Sequence, residues 1–230
     1  KVMISKGILE DTYFREDRLL YDFDKNDKLT TLSKNQKTSL LNIESAFDYK
    51  DIVLFQGVTG SGKTEIYMEL ISKAIERGDQ VLYMLPEISL TPQMVMRLQS
   101  RFGKNVTVYH SKFSIHERTE VWYNVLNNSS KARVVVGTRS AIFLPFYQLG
   151  LIIIDEEHEL SYKQFDPAPR YHARDTAIIL SRIYNAKILM GSATPSIESS
   201  FNLMKDKFGG VQLNERFGNI ELPEIVTIDL

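Results

Sequence analysis

Gly57-Val58-Thr59-Gly60-Ser61-Gly62-Lys63-Thr64 satisfies every fixed position of the pattern G-x-x-x-x-G-K-[ST]. A loop of this kind cradles phosphates with its backbone N–H groups and with the positive end of the helix that follows, so it needs a strand before it and a helix after it. Ile52-Val53-Leu54-Phe55 is a β-branched and aromatic run suited to the strand. Thr64 to Arg77 places Ile66, Tyr67, Leu70, Ile71, Ala74 and Ile75 on one helical face and stops at Gly78. The stretch therefore reads as a nucleotide phosphate site.

Outward from that loop, strand-like and helix-like segments alternate. The strands read Ile52–Phe55, Gln80–Leu85, Val106–Tyr109, Arg133–Gly137, Leu151–Asp155 and Lys187–Gly191, mostly short continuous apolar runs of the kind buried on both faces of a parallel sheet. Helical patterns fall at Thr64–Arg77, Thr91–Phe102, Ile115–Leu126, Ala173–Tyr184 and Ile197–Met204. The order predicts an α/β fold with right-handed crossovers and with its functional loops at the carboxyl ends of the strands. Trp122, beside Val121 and Val125, is expected in the core.

A further helix is expected from Leu32 to about Phe47, opened by Ser33 and Gln36, which form the S-x-x-Q of a capping box. Residues 1–31 are dense in charge with no sustained period and read as a linker or the edge of a preceding domain; 32–207 form the main lobe. Gly209-Gly210 and Leu222-Pro223 make 208–230 look like a passage toward another domain. Lys1 stands where a natural chain has methionine, so an excised piece is expected.

The chain has 230 residues, 43% hydrophobic and 25% charged, the balance of a soluble globular protein. The apolar run Leu149–Ile154 falls far short of the roughly 20 residues a membrane-spanning helix requires. There are no cysteines, hence neither disulfides nor thiolate metal sites within the chain, and a cytoplasmic location is expected. A net charge of −1 removes bulk basicity as an argument for nucleic acid, so such a partner must be held by local groups.

Chemistry gathers at the strand ends. Leu151-Ile152-Ile153-Ile154 runs into Asp155-Glu156-Glu157-His158. A buried strand ending in carboxylates, downstream of a phosphate loop, meets the needs of metal-assisted phosphoanhydride hydrolysis. Thr64 and Asp155 would hold Mg²⁺ against the β and γ phosphates, and Glu156 would orient or deprotonate the attacking water. The segment Ser161–Arg174 mixes Tyr162, Phe165 and Tyr171 with Lys163, Arg170, His172 and Arg174. That interleaving suits single-stranded DNA, with bases stacked on rings and cations along the phosphates, and suits packing against a neighbouring domain equally well.

Gly57–Thr64, Asp155–His158 and Gly191-Ser192-Ala193-Thr194-Pro195 occur in the order and spacing of motifs I, II and III, and here the chain resembles the first motor lobe of superfamily-two helicases. Leu85-Pro86-Glu87-Ile88-Ser89-Leu90-Thr91-Pro92-Gln93, Val136-Gly137-Thr138-Arg139-Ser140-Ala141, Tyr162-Lys163-Gln164 and Pro169-Arg170-Tyr171-His172-Ala173-Arg174-Asp175 are similar to the primosomal replication-restart members of that family. The resemblance runs from about Leu32 to the end, including Leu222-Pro223-Glu224-Ile225 and Asp229.

The resemblance implies a RecA-like P-loop NTPase lobe, a mostly parallel sheet with helices on both faces. It implies a 3′-to-5′ DNA helicase that uses ATP and Mg²⁺, acts on single-stranded and forked DNA, and works with primosome and replication-restart proteins. Gly57, Val58, Thr59, Gly60, Ser61, Gly62, Lys63 and Thr64 would bind the nucleotide, with Lys63 on the β and γ phosphates. Gln36 falls where these helicases recognise adenine, which displaces the purely capping reading. Ser192 and Thr194 would link nucleotide state to DNA, with His158 as relay. The loop from Ser161 to Arg174 then reads as a DNA sensor, Tyr162, Lys163, Phe165, Arg170 and Tyr171 touching the strand. Thr91, Thr138, Arg139 and Ser140 are candidate contacts to backbone phosphates. A second motor lobe supplying an arginine to the γ-phosphate is implied, so the isolated chain is expected to be nearly inactive, and cysteine zinc sites are expected only in later segments. A duplex-tracking translocase and a nucleotide-gated binding module are the rival readings.

Overall fold

A computed structural model describes residues 31–216. The charged stretch 1–30 and the tail 217–230, which includes Leu222-Pro223-Glu224-Ile225 and Asp229, lie outside the described residues. Helix α1 (Lys34–Tyr49) is followed by β1 (Ile52–Gly57), α2 (Lys63–Glu76), β2 (Gln80–Met84), α3 (Pro92–Phe102) and β3 (Val106–Tyr109). Then come α4 (Ile115–Leu126), β4 (Val134–Gly137), β5 (Leu149–Asp155), α5 (Ala173–Tyr184), β6 (Lys187–Ser192), α6 (Ile197–Met204) and β7 (Gly209–Leu213).

The strands form one seven-stranded sheet in the order β3-β4-β2-β5-β6-β1-β7, every neighbouring pair parallel. This is the RecA-like α/β fold. Alternate residues of the central strands feed two separate cores. Val53, Phe55, Tyr83, Ile153 and Leu189 pack under α1, α2 and α3, whose Ile43, Tyr67, Ile71 and Leu98 meet them. Ile52, Leu54, Leu82, Ile154 and Met190 face the other way, onto Val121 and Val125 of α4 and Ala173 and Ala177 of α5. Strands covered on both faces have no solvent side, which is why they read as unbroken apolar runs.

Two expectations need correction. Residues 209–213, read as the start of a passage out of the lobe, form β7 and pair with β1. Two glycines ordinarily punctuate a chain, but these serve close packing: a Cβ on Gly210 would lie 2.7 Å from Leu203 Cδ1, and one on Gly209 3.3 Å from Val53 Cγ2. Trp122 is not core. Val121 and Val125, four apart, point inward, whereas Trp122 is rotated about 100° from Val121 and is 41% exposed, edge-on to Tyr123.

Candidate active site

The site is built where β1 and β5 end on either side of β6. After Gly57 the chain turns through residues 58–62 into α2, whose N-cap is Gly62 in the left-handed conformation (φ 81°, ψ 34°). Only glycine suits this position on two counts: the backbone angle, and a Cβ that would lie 2.2 Å from Gln36 Nε2. The opening of the loop is tied to the sheet edge, Val58 N–H donating to Leu213 O (3.2 Å). Thr59 and Gly60 form its exposed tip, and Thr64 is half-buried in the first turn of α2.

Gln36, 1% exposed, does two jobs with one amide. Its Oε1 accepts from Ser33 N–H (2.9 Å) while its backbone N–H donates to Ser33 Oγ (3.3 Å), completing the capping box. Its Nε2 donates to Ser61 O (3.0 Å), anchoring the phosphate loop to α1. These bonds use one of the two amide N–H groups and one of the two Oε1 lone pairs, leaving one donor and one acceptor site for an adenine edge.

Lys63 Nζ, nearly buried, donates to Gly57 O (3.0 Å) and lies 3.7 Å from the Glu156 carboxylate. The hydroxyl of Ser61 is buried without a hydrogen-bond partner. An ammonium folded back on its own loop and an orphaned buried hydroxyl beside a helix N-terminus are the features an anion would satisfy.

Asp155, the last residue of β5, sits among hydroxyls. Tyr67 donates to its Oδ1 (3.0 Å), Glu156 N–H donates to the same oxygen (3.1 Å), and Tyr83 Oη is 3.5 Å from Oδ2. Burial, reinforced by the neighbouring Glu156 charge, pushes the Asp155 carboxyl up to about 6, against the opposing pull of Tyr67 and Lys63. Burial and the Asp155 charge likewise hold Tyr67 and Tyr83 well above the usual phenol value, so both stay neutral donors. A carboxylate this reluctant to ionise gains from an added cation. Among the described residues no cluster of three or more His, Cys, Asp or Glu is able to hold a metal. Mg²⁺ here would thus take Asp155 and Thr64 plus phosphate oxygens and water, its usual habit, and the residues fit it.

Glu156 adopts φ 46°, a left-handed conformation costing roughly 1–2 kcal/mol for a residue with a Cβ. The kink lets its carboxylate lie near both Lys63 and His158 Nδ1, each 3.7 Å away. His158 Nδ1 hydrogen-bonds Ser192 Oγ (2.8 Å), which also accepts from Thr194 N–H (3.0 Å). The groups read as a coupling set are thus continuous from the end of β5 to the end of β6, with Thr194 at the exposed end.

Tyr67 and Tyr83 were not among the site residues expected from sequence. Gly191 makes room for the first: a Cβ there would stand 1.7 Å from Tyr67 Oη. Gly191→Ala is expected to drive Tyr67 off Asp155 and to cost about 1–3 kcal/mol, read as a lower urea midpoint at an unchanged m-value.

The expected DNA contacts divide. Tyr162 is 1% exposed and donates to Met84 O (3.1 Å) and Asp155 O (2.7 Å), so it braces the strand ends and has no face left for a base. Arg174 is buried rather than aligned with phosphates, and Thr138 is buried too. Arg139 Nη1 donates to Ser161 O (3.1 Å) and Lys163 O (3.3 Å), fixing the root of the loop. Thr91 caps α3, accepting from Met94 N–H (3.3 Å), and stays exposed; Ser140 is half-buried. The loop closes on itself through a Lys163–His172 bridge and Gln164 N–H to Tyr171 O (2.8 Å). It presents Phe165, 59% exposed beneath Lys163 Nζ (4.8 Å from the ring centre), together with exposed Arg170. Tyr171 packs edge-on against Phe143.

A parallel sheet with a phosphate loop on one strand and paired carboxylates on another has the layout of a RecA-like P-loop lobe. The DEAD/DEAH box helicase family matches residues 33–202, and the chain belongs to that family. It is similar to replication restart protein PriA of Bacillus subtilis, 41% identical over 235 residues covering 100% of this chain and 29% of that protein. It is also similar to PriA of Haemophilus influenzae, 46% identical over 202 residues covering 87% of this chain and 27% of that protein. The chain thus spans less than a third of these relatives. Among solved structures it resembles RecG bound to a three-way DNA junction, with TM-score 0.60 and 24% identity over 84% of this chain and 25% of that one. It also resembles the DUF1998 helicase MrfA bound to DNA, with TM-score 0.57 and 17% identity over 80% of this chain and 27% of that one. Among the described residues no helix is long and apolar enough to cross a membrane.

Proposed function

We propose that this chain is the ATP-binding lobe of a 3′-to-5′ DNA helicase that couples ATP hydrolysis to movement on single-stranded DNA and to fork unwinding during replication restart. One observation carries the reading: the phosphate loop, the Asp155–Glu156 end of β5 and the base of the aromatic loop are directly joined. Tyr162 bonds the carbonyl of Asp155, and Glu156 lies 3.7 Å from Lys63. The likeness to PriA supports the role in replication restart.

In this reading, the Gly57–Thr64 amides and Lys63 hold the β and γ phosphates, while Gln36 reads adenine with the amide N–H and Oε1 lone pair that its protein partners leave over. Thr64 and Asp155 would hold Mg²⁺, which when bound would supply positive charge to offset that on the transferring phosphoryl group. Glu156 takes a proton from the attacking water, its carboxylate held in place by the Lys63 ammonium 3.7 Å away. His158 passes the change to Ser192 and Thr194. Phe165, Lys163, Arg170 and Tyr171 face the strand, with Thr91 and Ser140 as further candidate phosphate contacts. The γ-phosphate arginine belongs to a second lobe, whose absence typically costs about 10³ to 10⁵ in rate, so the isolated chain should turn over slowly.

Glu156→Gln, in the protein carrying this chain, tests the proposal. DNA-stimulated hydrolysis is expected to fall at least about a hundredfold, and unwinding of a forked substrate should be lost with it. Fork processing that survives without hydrolysis would make the protein a nucleotide-gated binding module. Hydrolysis-driven movement on duplex without strand separation would make it a translocase.

A further inference from the structure

Glu157 lies between the proposed water-activating residue and the proposed relay, and neither role uses it. It is 0% exposed, yet both oxygens of its carboxylate are well supplied with donors. Oε2 accepts from Arg174 Nη1 (3.0 Å), Ser196 Oγ (3.0 Å) and Ser199 Oγ (2.8 Å), and Oε1 accepts from Ser196 N–H (2.7 Å). Its own N–H donates to Gly191 O (3.0 Å). Ser196 is also saturated: while its hydroxyl donates to Glu157, it accepts from Arg174 Nη1 (2.6 Å) and Ser199 N–H (3.2 Å).

The three elements meeting at this carboxylate are those whose relative position matters. Arg174 is the second residue of α5, immediately beyond the aromatic loop. Ser196 is the N-cap of α6, two residues beyond Thr194. Glu157 itself hangs from the kink at Glu156. The loop leaves the sheet through Tyr162, bonded to Asp155 O, and returns through Arg174, bonded to Glu157. Both ends are thus tied to the three residues Asp155–Glu157.

A buried ion pair contributes little net stability, because desolvating two charges offsets most of their attraction, and its best-attested use is to fix register. The guanidinium fork is suited to fixing register here, because Nη1 spans Glu157 and Ser196 while Nε reaches Asp175 Oδ1 (3.3 Å). A lysine keeps the charge but has no second nitrogen with which to hold Asp175 while the first holds Glu157.

We propose that Glu157 and Arg174 are positioning residues, a tether through which displacement of the Ser161–His172 loop shifts the Glu156 carboxylate and the start of α6 together. It rests on the reading of this lobe as a DNA-stimulated ATPase. The tether acts on coupling, leaving nucleotide and DNA contacts in place.

Arg174→Lys in the protein carrying this chain is the test, with four readouts: melting temperature, hydrolysis without DNA, hydrolysis with saturating single-stranded DNA, and DNA affinity by fluorescence anisotropy. Basal hydrolysis and affinity are expected within about twofold of wild type, while DNA stimulation falls about tenfold, a usual size for coupling between sites. The double variant Glu157→Gln with Arg174→Met removes both charges, so no unpaired buried ion remains to unfold it, and should show the same loss of stimulation. Wild-type stimulation in either folded variant overturns the tether, as does a parallel fall of basal and stimulated rates. A wild-type protein whose hydrolysis ignores DNA overturns the functional reading itself, and the tether falls with it; a DNA-stimulated wild type separates the two failures.

Discussion

Asp155→Asn should stabilise the nucleotide-free protein at pH 7.5 while lowering Mg²⁺-dependent ATP hydrolysis about a thousandfold. The two effects share a cause. Asp155 is buried and beside a second carboxylate, and its proton affinity is raised from the usual 3.8 to about 6. At neutral pH the fold therefore carries a charge that the unfolded chain solvates better, a penalty on the order of 2–3 kcal/mol. An asparagine removes the charge and keeps partners, since its carbonyl accepts from Tyr67 and its amide donates to Tyr83. In a lobe of this size each kcal/mol moves the melting temperature by about 2–4 °C, so a rise of about 5–10 °C is expected.

A group whose folded pKa is raised contributes stability fully present below the unfolded value and lost as pH rises through the folded one. The difference in melting temperature between variant and wild type should accordingly narrow on acidification from about pH 7 toward about 4.5, measured by scanning calorimetry without nucleotide or Mg²⁺. A difference independent of pH would show that Asp155 carries no such charge penalty. The catalytic loss follows because a neutral amide gives a cation no charge to pair with, and the phosphoryl charge a bound metal neutralises is worth several kcal/mol. An active site that is destabilising until filled trades resting stability for function.

How much of this was legible beforehand depends on whether a residue's partner is near in sequence. The six expected strands were visible because double-sided burial makes Ile152-Ile153-Ile154 or Val134-Val135-Val136 apolar without alternation. The phosphate loop and the Asp155–His158 run were legible because their chemistry is written in consecutive residues. Tyr67 and Tyr83 were not: each occupies a regular core position, and only the fold brings their hydroxyls to Asp155, 88 and 72 residues away. Tyr162 misled for the reverse reason, an aromatic among charges reading as surface when its hydroxyl in fact bridges two backbone carbonyls. The pairing of Arg174 with Glu157 is invisible until α5 is laid against the end of β5. β7 was hidden by glycines that are there for close packing rather than for a turn.

Lys63→Ala is expected to reduce ATP hydrolysis by about 10² to 10³, the usual cost of one donor aimed at developing charge, and also to move the acid limb of the pH–rate profile. The second effect separates a phosphate contact from a wider electrostatic role. In the nucleotide-free site the Lys63 ammonium is the cation drawn toward Glu156 (3.7 Å), and it lowers the proton affinity of Asp155. Without it, the two carboxylates repel with less relief, so Asp155 holds its proton to higher pH. If Asp155 pairs with the metal as proposed, wild-type kcat/KM for Mg-ATP should decline below about pH 6, because this parameter reports the free enzyme and Asp155 takes up its proton there. In Lys63→Ala the decline should begin at higher pH. Lys63→Arg keeps the charge with a bulkier head: it should restore the wild-type acid limb but recover only part of the rate. An unshifted limb in Lys63→Ala would mean that Lys63 acts on the phosphates alone and leaves the carboxylate pair untouched.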